Sequence, residues 1–316
     1  MKVTGHPLGE AGPTVDARSL SLGILFMVLV TLTFTGLDAC AKYLSAELPT
    51  SQIVWMRFVS HTLILTIVTA IILRGRVPYR SKRPGLQFMR AGLMSLTTLL
   101  NFMALKTMQL AETNAIFFTA PMFVAALSGP MLGEWAGPRR WAAIIVGFLG
   151  VLIIVQPGTG NFSWPALYVL AASFIYAVYN IMTRQLAGTD DPVITFLMTP
   201  LIGTLIFAPL GIASWVAPPD LLHWVLLAAM GIFGGIGHGC LLLALRRTPA
   251  TILAPFSYIQ LVWMSLAGYL IFADIPTIWT AIGASIVVAC GLYVWFRERQ
   301  AATAAPPPLT ERQSAP

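Results

Sequence analysis

Asp38, Lys42, Arg57 and His61 place an acid, two bases and an imidazole in two consecutive runs of otherwise apolar residues. Lys42 follows Asp38 by one helical turn on the same face, and Arg57, early in the returning run, reaches a similar depth. An ionisable side chain at the centre of a bilayer costs about 2.5 to 3.5 kcal/mol on insertion scales, so one that is retained has a partner or a task. Two readings stand side by side: a structural ion cluster clamping two helices, or a substrate or proton site. Its expected place in the outer third of the spans favours gating over central binding. His61 and His238 add two imidazoles at other depths. A lone histidine on an apolar helix is more often hydrogen-bonded packing than a proton relay. The glycines around His238, in the run Gly231-Ile-Phe-Gly-Gly-Ile-Gly-His-Gly239, explain themselves by close helix approach. A phosphate-binding loop would need a soluble strand and turn before it, which this stretch lacks.

A third set of polar groups consists of Asn101, Asn114, Tyr176, Tyr179, Asn180, Tyr258 and Gln260, accompanied by Trp55, Phe117, Phe118 and Trp263. Taken singly, each is explained by interhelical hydrogen bonding or by an interfacial ring. Together, amides and hydroxyls among rings suit a cavity for a flat, partly polar organic molecule. Enzyme chemistry would want two ionisable groups converging at one depth, and Asp38 with His61 is the candidate pair. Neither metal ligation nor a cofactor is expected. The three cysteines, Cys40, Cys240 and Cys290, lie inside apolar runs without paired spacing and read as packing residues.

The elements that carry these residues must lie in a membrane. The chain has 316 residues, of which 57% are hydrophobic and 10% charged, and a mean hydropathy of +0.79. That is more apolar surface than a soluble domain can bury. Runs near 20–42, 51–73, 86–107, 112–133, 138–156, 163–186, 192–216, 221–245, 250–272 and 276–296 each meet the length of about 20 residues that a crossing helix needs. The predicted fold class is therefore an all-α integral membrane protein of ten transmembrane helices. Pro121, Pro200 and Pro255 inside spans mark candidate hinges or tolerated kinks. Residues 1–19 and 297–316, rich in proline, glycine and small residues, read as unstructured cytoplasmic ends.

Two observations divide the chain into halves, 20–156 and 163–296. The block from Ala104 to Glu134 returns in outline from Ala244 to Asp274, with a basic residue after each Ala-Leu, a ring in each middle (Phe118, Tyr258) and an acid at each end. Around the first and sixth spans, Asp38-Ala-Cys-Ala-Lys42-Tyr-Leu aligns with Asn180-Ile-Met-Thr-Arg184-Gln-Leu. Five spans per half is an odd number, so the halves must run oppositely, as two inverted repeats. With the amino terminus inside, sixteen of the nineteen Lys and Arg residues fall on the cytoplasmic side and only Lys42, Arg57 and Lys106 in the outer half. The net charge of +7 is thus a topology signal, not nucleic-acid affinity.

The ten spans, the two blocks ending Leu-Gly-Glu134 and Phe-Ala-Asp274, and the glycines of the span after each (Gly147, Gly150; Gly283, Gly291) resemble the EamA group of the drug/metabolite transporter superfamily over about residues 20–296. The resemblance implies an inner-membrane carrier working by alternating access, with its central cavity lined by the first, third, fourth, sixth, eighth and ninth spans. Asp38-x-x-x-Lys42-Tyr-Leu with Trp55-x-Arg57 is similar to members assigned to uptake of riboflavin or S-adenosylmethionine, and to some metallophore exporters. Uptake of riboflavin or a similar flat, vitamin-like solute is the leading expectation. Export of amino acids or toxic compounds, and a passive pore, are the alternatives. The expected partners are a small-molecule substrate and the lipid bilayer, without nucleic acid, and the arrangement is compatible with a homo-oligomer.

Overall fold

The computed structural model describes residues 17–72, 81–157, 163–186 and 189–304. Among them the secondary structure is helical: α1 (Ala17–Leu44), α2 (Thr50–Ile72), α3 (Pro84–Leu105), α4 (Leu110–Phe117), α5 (Ala120–Leu132), α6 (Pro138–Val155), α7 (Pro165–Leu186), α8 (Pro192–Ala213), α9 (Leu221–Arg247), α10 (Ala250–Ser257), α11 (Ile259–Phe272) and α12 (Ile278–Ala304). They make ten stretches long and apolar enough to cross a membrane. Helices are the expected form, because a chain in lipid must satisfy its own backbone hydrogen bonds. Local chemistry sets the ends. Proline opens α3, α6, α7 and α8, where its missing N–H costs nothing. Asp191 and Asp220 cap α8 and α9 by accepting from the Val193 and His223 amides. Gly133, at φ 78°, ends α5 in the left-handed region.

Two crossings are interrupted, and they are the fourth and the ninth. The fourth breaks between α4 and α5 at Phe118 and Thr119, just before Pro121; the ninth breaks between α10 and α11 at Tyr258, after Pro255. Pro200, by contrast, sits inside a continuous α8. The residues at the two breaks are the rings matched in the sequence blocks, and they meet, with centroids 4.7 Å apart. Thr62 of α2 and Thr204 of α8, which occupy corresponding places in the two halves, also meet, their hydroxyls 3.1 Å apart. Such self-contacts are expected at a two-fold axis relating the halves. The packing agrees: α1 lies on α9 as α3 lies on α7, while α2 packs on α8 and α6 on α12, so exchanging the halves returns the same pairs. Lipid-facing positions such as Leu25, Ile67, Leu149, Leu205 and Val262 are exposed, and exposed tryptophans (Trp135, Trp164, Trp224, Trp279) gather at span ends.

The ends of the chain differ somewhat from expectation. Helix α1 already begins at Ala17, within the segment expected to lack structure, and residues 1–16 lie outside the described residues. Helix α12 continues past 296 to Ala304, because Arg, Gln and Ala are strong helix formers and Arg297 donates to Gln300 Oε1 at 2.8 Å. The rest of the tail, 305–316, lies outside the described residues.

Candidate functional site

Close packing of α9 against α1 and α2 builds the centre of the bundle. A Cβ at Gly231 would collide with the backbone and hydroxyl of Ser60, and one at Gly237 would stand 2.8 Å from Phe34 and Thr33. These glycines bring His238 between α1 and α2, with Phe34 edge-on to it at 5.1 Å. His61 of α2 lies parallel to His238, with centroids 5.9 Å apart and planes at 8°. The two histidines singled out separately in the sequence therefore form one stacked pair.

Two cavities flank this pair. The first, about 570 Å³, is lined by Arg57, His61, Arg90, Tyr179, Thr199 and His238 and runs down to Thr189, Asp190 and Pro192, at the connection between α7 and α8. The second, about 300 Å³, is lined by Asp38, Asn101, Asn114, Phe117, Phe118, Tyr176 and Gln260. Arg57, Met94, His238 and Leu241 belong to both walls, so the cavities are stacked with these side chains between them.

Most of the expected site residues are brought together here. Asp38 lines the second cavity and accepts from Asn101 at 3.4 Å. Arg57 is buried, donates to Thr98 Oγ1 at 3.0 Å and lies over the Phe58 ring at 4.7 Å. Tyr176 stacks on Tyr179 with centroids 5.5 Å apart. Other expected residues lie elsewhere. Asn180 donates to the Tyr176 carbonyl, and Tyr258 packs on Phe118. Trp55 packs against Trp215, and Trp263 lines neither cavity. The candidate enzymatic pair separates, with Asp38 on the second cavity and His61 on the first. Among the described residues no group of three His, Cys, Asp or Glu side chains could hold a metal ion.

The expected cluster of Asp38 with Lys42 does not form. Lys42 reaches instead to Asp274, at 2.6 Å, and donates to the Met108 carbonyl at 2.9 Å. One turn of helix separates Asp38 from Lys42, yet it carries Lys42 to the end of the bundle, where the end of the ninth span supplies the nearer acid. The counterpart of this pair lies at the opposite end. Arg184 grips Glu134 with two bonds of 2.8 and 2.9 Å. Lys42 and Arg184 are the aligned bases of the first and sixth spans, and Asp274 and Glu134 the aligned acids closing the ninth and fourth. The two ion pairs are thus copies of one contact, one on each face. They differ in surroundings: Lys42 and Asp274 are 14% and 23% exposed, Arg184 and Glu134 60% and 52%.

Several cavity residues were not singled out in the sequence. Arg90 is one of the sixteen basic residues that the charge count places on the cytoplasmic side, although it falls inside its span, and that position in an apolar run is the available signal. It is 1% exposed and donates to the Thr195 carbonyl at 2.9 Å and to Thr199, with Tyr179 beneath it at 5.0 Å. Asp190, at the foot of the first cavity, accepts from Ser81, the Lys82 amide and Gln87. Desolvation works against its charge, but these hydrogen bonds together outweigh it and hold the Asp190 carboxyl below the usual carboxylate range.

Ten helices long and apolar enough to cross a membrane, packed around two adjoining cavities, define a multi-pass membrane protein. The chain belongs to the EamA-like transporter family, whose sequence profile matches it twice, at residues 21–156 and 163–296. It is 25% identical over 284 residues to the S-adenosylmethionine uptake transporter of Rickettsia bellii, covering 90% of this chain and 97% of that one. It is 27% identical to the riboflavin transporter of Vibrio cholerae, over 84% of this chain and 90% of that one. The pseudopaline exporter CntI of Pseudomonas aeruginosa is 30% identical over 86% of this chain and 95% of its own. A solved crystal structure superimposes with a TM-score of 0.60 at 19% identity, over 90% of this chain and 98% of that one, which speaks for the fold alone. The protein is accordingly a transporter and not an enzyme.

Proposed function

We propose that this protein is a secondary carrier of the inner (plasma) membrane that moves a small organic metabolite by alternating access, with both termini in the cytoplasm. One observation carries the reading: equivalent ion pairs, Lys42–Asp274 and Arg184–Glu134, lie on opposite faces, the first largely occluded and the second open to solvent. A pore needs a continuous path and no alternation between ends. A carrier built from inverted repeats needs an equivalent closure at each face; both pairs are formed here, and they differ in how far each is sealed from solvent. The larger cavity reaches the terminal face beside Asp190, which fits a state open to the cytoplasm with Lys42–Asp274 closing the outside. The distribution of lysine and arginine supports the orientation.

For the cargo, the rings of Phe117, Phe118 and Tyr176 with the amides of Asn101, Asn114 and Gln260 suit a flat, partly polar solute, and uptake of riboflavin or a similar vitamin-like compound is the leading assignment. The riboflavin transporter relative supports it. Export is the second reading, favoured by the 30% identity to the pseudopaline exporter. Uptake into proteoliposomes tests the carrier: flux should saturate and be stimulated from the trans side, and linear flux would refute it. Growth of a riboflavin auxotroph expressing the chain tests the assignment. A reporter enzyme after Arg299 found on the external side would refute the orientation.

A further inference from the structure

We propose that the cargo carries an oxyanion, a carboxylate or a phosphate, held between Arg57 and Arg90 in the larger cavity; the proposal rests on reading that cavity as the transport path. Elsewhere in this bundle a base that could meet an acid does so, as Lys42 meets Asp274 and Arg184 meets Glu134. Arg57 and Arg90 are more deeply buried than either, at 4% and 1% exposure, yet among the described residues neither has a carboxylate within 4 Å. Their protein partners are uncharged: Thr98 for Arg57, and Thr183, Thr199 and the Thr195 carbonyl for Arg90. Rings brace both, Phe58 under Arg57 and Tyr179 under Arg90.

This arrangement holds each guanidinium without a direct ion pair: Arg57 feels Asp38 only across the second cavity, and Arg90 has no carboxylate within 4 Å among the described residues, a costly condition for a purely structural residue. It is the condition a preorganised anion site requires, because the planar fork of arginine matches the two oxygens of a carboxylate or phosphate. Among residues lining this cavity, Arg57 Nε, Arg90 Nε and His61 Nε2 are buried without a hydrogen-bond partner; in the second cavity, which Arg57 shares, Thr97 Oγ1 and Asn114 Oδ1 are too. All three nitrogens are atoms that can donate to an oxyanion. The acids near the cavity do not fill the role. Asp38 shares the second cavity with Arg57 and acts on its charge, but forms no ion pair within 4 Å and bonds Asn101 instead; Asp190 is taken up by Ser81, Lys82 and Gln87. Riboflavin itself, being neutral, would leave these groups unused, so within the vitamin-like class the site fits a similar flat solute that carries an acid group.

The test uses the full-length protein in proteoliposomes loaded with the small-molecule fraction of a bacterial extract. Compounds released faster than from protein-free vesicles are separated by anion exchange at pH 7 and sorted by mass spectrometry into carboxylates and phosphate esters. The expected result is release of anions, slowed at least tenfold in Arg57→Gln and Arg90→Gln. In unaltered protein, where misfolding is not in question, the released anion should protect Arg57 and Arg90 from phenylglyoxal modification. Release of neutral or cationic compounds alone, riboflavin included, would overturn the oxyanion and leave the carrier standing. Release of nothing would overturn both. Equal rates in well-folded variants, with no protection in the parent, would also overturn the oxyanion.

Discussion

Replacing Lys42 by alanine should unlatch the face opposite the termini. In the closed state Lys42 donates to Asp274 at 2.6 Å and to the Met108 carbonyl at 2.9 Å, and Glu112 stands near enough to interact with both charges. A charge-assisted hydrogen bond in partly buried surroundings contributes about 2 kcal/mol, so its loss shifts the balance of the two states about thirtyfold toward opening on that face. The residual repulsion between Asp274 and Glu112 acts in the same direction. The equivalent Glu134→Gln change breaks a pair that is more than half exposed, worth about 0.5 kcal/mol, and shifts the balance only about twofold. Thr113 lines the second cavity from α4 and provides the reporter. In a background with Cys40, Cys240 and Cys290 changed to alanine, a Thr113→Cys variant in spheroplasts is exposed to a membrane-impermeant thiol reagent. The Lys42→Ala change should raise the modification rate more than tenfold, and exchanging the charges, Lys42→Asp with Asp274→Lys, should return it toward the parent. Rates within twofold of the parent for both Lys42→Ala and Asp274→Ala would refute the latch.

Asp38→Asn should abolish accumulation driven by a proton gradient while leaving exchange intact, measured as counterflow against net uptake; normal accumulation would reduce Asp38 to a structural role. Gly231→Ala drives a methyl into the Ser60 backbone, an overpacking cost of about 1 to 3 kcal/mol, whereas Gly147→Ala collides with the flexible end of Met122 and touches Cys290 Cβ at ordinary contact distance, and should be milder; thermal unfolding in detergent compares them. Asp190 has a lowered pKa in the folded protein, so its contribution to stability is present above the ordinary aspartate value of about 3.9 and is lost as pH falls through the folded value. Asp190→Ala should therefore lower the melting temperature at neutral pH, and the difference from the parent should vanish in strong acid.

The sequence by itself determined the number of crossings and the class of protein, and it is the source of the expectation that the two halves run oppositely. Lipid admits few backbone solutions, and run length with the placement of lysine and arginine reports which one is used. It also matched Lys42 with Arg184 and Glu134 with Asp274 as counterparts. It did not reveal that the base of one half closes on the acid of the other, because that contact depends on how the inverted halves dock. For the same reason Lys42 was assigned to Asp38, its neighbour along the chain, when the packed structure brings a nearer acid from 232 residues away. Arg90 illustrates the limit most clearly. Topology counts a basic residue near a span end on the cytoplasmic side, and only the packing of α3 against α7 and α8 decides that its guanidinium turns inward onto the cavity instead. Periodicity could not have supplied this, since helices apolar on every side carry no strong signal of which face is inner.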